Sequence, residues 1–146
     1  MFRMELMSAL IGAIVGGLVA FLATLYAIRK QEKYKVFAEL VAAFAELLRL
    51  LEIKHPNHSN EYKPVLILLQ DNYAKYFQLI IRSSMMLNQQ NKELILKFNQ
   101  LYCVDLEHNY PTLIDYQTEN DHNKEIDARK LAIQRIESLL KIANPD

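Results

Sequence analysis

Three pairs in this sequence place a carboxylate three residues ahead of a histidine: Glu52 with His55, Asp105 with His108, and Glu119 with His122. On a helix that spacing brings both side chains to one face, and helical di-iron sites are built with it. The pairs fall at expected helix ends or in a polar stretch, whereas di-iron ligands project into the middle of a bundle. A histidine near a helix carboxy end is favoured by the helix dipole alone, which accounts for two of the three without a metal. The segment "HPNH" adds His58 to His55 in a loop, followed by Glu61. Catalytic zinc needs three protein ligands and structural zinc four, and no cysteine is near to complete either set. His55, His58, His108 and His122 are therefore the metal candidates of the chain, and the expectation is no bound metal and no other cofactor.

Asp105 to Asp127 holds seven acidic residues and one full positive charge, Lys124. Neither register starting at Asp115 or Asp121 supplies the glycine and the twelfth-position Glu of a calcium-binding loop, so an exposed acidic face is expected. The chain has no G-x-S-x-G, no phosphate-binding glycine loop, no H-E-x-x-H and no C-x-x-C. The local signatures of hydrolases, nucleotide enzymes and zinc proteins are missing, and no catalytic activity or small-molecule substrate is expected. The single cysteine, Cys103 in "LYCVDL", reads as a half-buried structural thiol with no cation beside it to lower its pKa.

The elements that carry these residues begin with an uncharged run of 23 residues from Leu6 to Ile28. At ~1.5 Å per helical residue it reaches about 34 Å, enough to cross a hydrocarbon core of roughly 30 Å. A cleavable signal has a shorter apolar region and an A-x-A-like exit. Here the exit reads "LATLYAIRKQ", so an uncleaved single-pass anchor is expected, with residues 1–30 as anchor and 31–146 as a separate domain. Arg29, Lys30, Lys33 and Lys35 follow the span with only Glu32 among them, while Arg3 is balanced by Glu5 ahead of it. Charge asymmetry of this sign faces the large downstream part to the cytoplasm, at the inner membrane in a bacterial cell. Those four basic residues meet the lipid headgroups, and Tyr26 and Tyr34 suit the same boundary.

Within the run, Ser8, Gly12, Gly16, Ala20 and Thr24 recur every four residues, with Gly12 and Gly16 forming G-x-x-x-G. Lipid tails solvate leucine as well as protein does, so close backbone packing over small residues is one of the few attractions between membrane helices. The stripe predicts association with a second copy or with another membrane protein.

Downstream, hydrophobic spacing is helical throughout. Phe37, Leu40, Val41, Phe44, Leu47, Leu48 and Leu51 keep a three-and-four spacing with no breaker after the span, which predicts one helix from about Leu6 to Lys54. "HPNHSNEYKP" ends it. A second helix is expected from near Tyr62 to Asn88, with Leu66, Leu69, Tyr73, Tyr76, Phe77, Ile80 and Leu87 as its main stripe and Val65, Leu68, Leu79 and Met86 widening it. A third is expected from about Lys92 to His108. Thr112 with Asp115 and Thr118 with Asp121 have capping-box spacing, predicting a short helical turn and then a last helix with apolar positions Ile126, Ile133, Ile136, Leu139, Leu140 and Ala143.

The expected fold is all-α: a transmembrane helix continuing into a small cytoplasmic antiparallel bundle of about four helices. Net charge is zero overall, with 14 basic and 16 acidic residues beyond residue 30, which excludes a strongly basic nucleic-acid surface. The expected function is a membrane-anchored adaptor or assembly protein. A membrane-active effector that oligomerises through the small-residue stripe, and a helical carboxylate–histidine metalloprotein, are the alternatives.

Overall fold

The structure, a computed structural model, describes residues 2–86 and 91–145. It is mostly helical and dominated by one long helix, α1 (Phe2–Leu51). No proline precedes "HPN" and no glycine follows Gly17 before it, so the apolar run and the amphipathic segment share one axis. The last turn tightens as Ile53 N–H turns back to Leu50 C=O, and a 3-10 turn at Pro56–His58 leads the chain away.

Beyond residue 36 one face of α1 is covered. Leu40, Phe44, Leu47 and Leu51 are fully buried, with Phe37 and Leu48 packed at their edge. Their partners lie on α3 (Tyr73–Met86) and α5 (His122–Ala143), while α4 (Asn91–Tyr102) packs on those same two helices from the other side. Short α2 (Val65–Asp71) lies against α1 and α5. The shared core holds Phe44 stacked on Tyr76 with ring centroids 4.6 Å apart, and Tyr102 edge-on to Tyr73 at 4.9 Å. Three tyrosine hydroxyls are satisfied by backbone carbonyls: Tyr76 donates to Ala43, Tyr102 to Leu69 and Tyr116 to Leu101. Each hydroxyl thereby joins two segments while keeping its ring in the apolar interior.

Four expectations need correction. The single second helix is two, because Asn72 donates its side-chain amide to Leu68 C=O and caps α2, after which Tyr76 N–H takes Asn72 C=O to start α3. Its expected end at Leu87 and Asn88 lies outside the described residues. The break also reassigns the faces: Val65 and Leu68 are core, while Phe77 is exposed. The third helix ends at Tyr102 rather than His108. Cys103 adopts a left-handed φ of 51°, and Asp105 takes the N–H groups of Glu107 and His108 on its carboxylate, a local alternative that outcompetes the helix. A two-residue antiparallel pair follows instead, β1 (Val104–Asp105) against β2 (Tyr110–Pro111), within a fold that stays mostly helical. Finally, α5 is capped by Asp121, whose Oδ1 accepts from Asn123 and Lys124 N–H, and not by Thr118. The short turn expected after Thr112 does form, at Ile114–Tyr116.

Candidate functional site

The apolar part of α1 is the one helix among the described residues long and apolar enough to cross a membrane, and none of its most apolar 18-residue window is buried. Ser8, Gly12, Gly16, Ala20 and Thr24 are all exposed. A Cβ added at Gly12 or Gly16 would meet nothing within 4 Å. Because a helix turns every 3.6 residues, a four-residue spacing winds by roughly 40° per step, so the stripe curls around the helix instead of running straight. That path suits the oblique crossing of G-x-x-x-G pairs, which touch over a short central length. Thr24 donates its hydroxyl to Ala20 C=O at 2.9 Å, so its polarity is satisfied inside the helix.

At the foot of this segment, Arg29, Lys30 and Lys33 line one cleft of about 390 Å³ together with Tyr26, Tyr34 and Pro145. Lys35 is not among its lining side chains. Tyr26, Arg29, Lys30 and Lys33 follow helical spacing along a single face of α1. Pro145 reaches it because α5 ends beside α1, where Asn144 N–H closes the helix on Leu140 C=O.

The histidines gather differently from the sequence pairs. His55 lies against His58 and His122, with ring centroids 5.4 and 5.1 Å apart. Of the three carboxylate–histidine pairs, Asp105 and His108 are hydrogen-bonded, Oδ2 to Nδ1 2.9 Å, in the turn between β1 and β2. The hydrogen bond from His108 holds the Asp105 carboxyl below its ordinary range, helped by the two N–H groups of the turn. Among the described residues, Asp105, Glu107 and His108 are the group of three metal-ligating side chains whose donor atoms lie within 4.8 Å of one another. They sit on the rim of an exposed turn whose Asp105 oxygens are already taken by N–H donors.

Beside the histidine corner lies a buried ion pair that the sequence reading missed. Arg129 is 1% exposed and Glu125 5%, with Nε 3.3 Å from Oε1. Arg129 donates Nη1 to Leu50 and Leu51 C=O, both at 3.1 Å, and Nη2 to Lys63 C=O, so its charge sits on the open carboxy end of α1. Glu125 accepts from Val65 N–H at 2.8 Å, the first turn of α2, and from the Thr118 hydroxyl at 3.1 Å. Tyr62 covers the guanidinium face at 4.7 Å. Nε falls short of hydrogen-bond geometry and is the one buried orphan among the described residues. A carboxylate so occupied is a clamp between segments, not an available base. The signal was present in the spacing: Ala143, Leu139, Ile136 and Ala132 extend back by threes and fours onto Arg129 and Glu125.

Cys103 also has a neighbour the sequence did not suggest. Arg135 Nη1 approaches Sγ at 3.5 Å and Tyr116 Oη at 3.1 Å, while Nη2 meets Asp115 at 2.8 Å. Burial nevertheless pushes the thiol up, and its S–H donates to Asp115 at 3.4 Å. A thiol held protonated is a poor nucleophile, so the cluster's evident task is to pin α4 and the Ile114–Tyr116 turn to α5.

Compared with protein-family models, curated proteins and solved structures, this chain finds a match in none of the three.

Proposed function

We propose that this chain is a single-pass membrane-anchored adaptor without catalytic activity: residues 1–30 fix it in a bilayer, and residues 31–146 form an antiparallel helical bundle that presents a surface to another protein. The observation that carries the reading is the continuity of α1. One helix runs from residues 3–24, every side chain of which is exposed, into a segment whose Leu40, Phe44, Leu47 and Leu51 are core, so the bundle has no flexible tether from its anchor. A rigid link of this kind suits a protein whose task is to hold a partner at a set height and orientation above a membrane.

The basic residues Arg29, Lys30, Lys33 and Lys35 favour a cytoplasmic bundle. Apolar side chains exposed on it, Leu96, Leu106, Tyr110 and Ile114, lie on or beside the β1–β2 turn and offer a contact area for a partner. Open space at Gly12 and Gly16 favours close approach of another membrane helix, a second copy or a foreign span. A single span without a charged residue offers little polar lining, which counts against a pore.

The test is a tagged pull-down of the full-length chain from native membranes in mild detergent, alongside a Gly12→Ile, Gly16→Ile variant. A stoichiometric foreign protein supports the adaptor. Recovery of the chain alone, lost in the variant, replaces it with self-assembly through the span.

A further inference from the structure

We propose that the cleft at the foot of the apolar segment is a binding site for the phosphate-bearing headgroup of an anionic membrane lipid. The inference rests on reading α1 as membrane-spanning and adds a specific ligand to it. Arg29, Lys30 and Lys33 face the same cleft, and none of them forms an ion pair with a described residue. Glu32, the one acidic residue in that stretch of α1, is not among the lining side chains. Among the described residues, the carboxy end of α5 sets against these three cations only the partial negative charge of its last carbonyls, about half a unit. Three cations with no ion pair to a described residue, set around a concave space, suit a phosphate: guanidinium offers a planar fork to its oxygens and the ammonium groups point charges.

The surroundings select a lipid over a free ion. Continuing the cleft's face up α1 by helical spacing leads to Leu22, Val19 and Val15, all of them exposed. A phosphate seated among Arg29, Lys30 and Lys33 therefore has an apolar track directly above it on which acyl chains can lie. Tyr26 lines the cleft at the level where an amphipathic ring suits the membrane boundary. Pro145, from the far end of the domain, makes the site a concavity instead of a charged strip. Near the foot of the span, Ala20 and Thr24 fall away from the cleft's face of α1.

The test uses the full-length chain purified in mild detergent and stripped of lipid, with native mass spectrometry during titration with phosphatidylglycerol or phosphatidylcholine. The expected result is a bound phosphatidylglycerol preferred over phosphatidylcholine, with affinity falling roughly fivefold per basic side chain removed and on the order of a hundredfold in the Arg29→Gln, Lys30→Gln, Lys33→Gln variant. Lys35→Gln, outside the cleft, keeps the preference. Equal binding of the two lipids, retention of the preference by the triple variant, or an equal loss in Lys35→Gln overturns the site while leaving the anchor standing. Inorganic phosphate that displaces phosphatidylglycerol at millimolar concentration reassigns the cleft to a soluble anion and overturns the lipid. Release of the wild-type chain from its native membranes by alkaline carbonate overturns the anchor and the site together.

Discussion

The two halves of α1 share an axis and a backbone geometry, yet their side chains answer to different solvents. Between residues 3 and 24 every side chain is exposed, with large apolar groups such as Leu10, Ile14, Leu18 and Val19 spread over about half of the circumference and alanine and glycine over much of the rest. Between Phe37 and Leu51 the apolar groups collect on one face, and Glu46 and Arg49 occupy the other, where they pair at 2.7 Å. A helix apolar all round needs an apolar surrounding, whereas a striped helix needs only a neighbour. The difference teaches that stability has separate sources along one element: the first half depends on a medium, the second on burial of side chains, each contributing roughly 1.5–3 kcal/mol.

Substitutions that harm one half and spare the other test this division. The largest effect is expected from Ile14→Arg with Leu18→Arg. Each arginine near the centre of a span costs about 3 kcal/mol of insertion, so the pair costs on the order of 6 kcal/mol. The chain should move to the carbonate-soluble fraction while the helical domain keeps its unfolding midpoint. Full retention in the membrane by this variant would sink the anchor reading.

Arg129→Ala reverses the pattern. It leaves the Glu125 carboxylate buried without its cation and frees the carbonyls of Leu50, Leu51 and Lys63. Breaking one side of a buried pair costs about 3–5 kcal/mol, read as a lower denaturation midpoint of the domain. Membrane retention should be unchanged. A loss below 1 kcal/mol would mean that the corner joining α1, α2 and α5 is not held by this residue.

The same contrast explains what could be read from the sequence. The long helix, its lipid-compatible half and the buried face through Leu40, Phe44, Leu47 and Leu51 were legible because hydrophobicity and period agree there. Where polar side chains compete with the backbone, the reading failed. Asn72 divides a continuous apolar pattern, and Asp105 captures the N–H groups that would have continued α4 to His108. Arg129 and Glu125 sit at core positions of α5 with charged side chains, so a search for apolar residues passed over them to Ile126 and Ile133. The basic foot of the span was legible as a topology signal. The cleft was not, since it needs Pro145, more than a hundred residues away.

Tyr76→Phe sharpens the comparison within the domain. The ring remains to stack on Phe44, but the hydroxyl that donates to Ala43 C=O at 3.2 Å is lost. Because Ala43 C=O keeps its place in the α1 ladder, the expected cost is about 1 kcal/mol in chemical denaturation. A cost near 3 kcal/mol would show that the hydroxyl, and not the ring, sets how α3 meets α1.

The smallest effect is expected at the surface cluster of α5. The Arg135 guanidinium holds the Asp115 carboxyl below its ordinary range. A carboxyl whose folded value is depressed stabilises the fold above its unfolded value, near pH 3.9, and loses that contribution as pH falls through the lower folded value. Asp115 is partly exposed, so the pair is worth under about 1 kcal/mol once solvent screening is counted. Wild type and Asp115→Asn should therefore differ slightly in domain stability at pH 7 and converge as pH falls through the lowered folded value of Asp115. The neighbouring thiol adds a check: Cys103 loses the carboxylate charge beside its S–H in the variant but keeps Arg135 at 3.5 Å. Thiol alkylation should then proceed faster at a given alkaline pH, because removing the Asp115 charge and leaving the guanidinium favours the thiolate. Unchanged alkylation would mean that burial alone sets the behaviour of Cys103, and that this corner of the domain, like the core of α1, is governed by packing and not by charge.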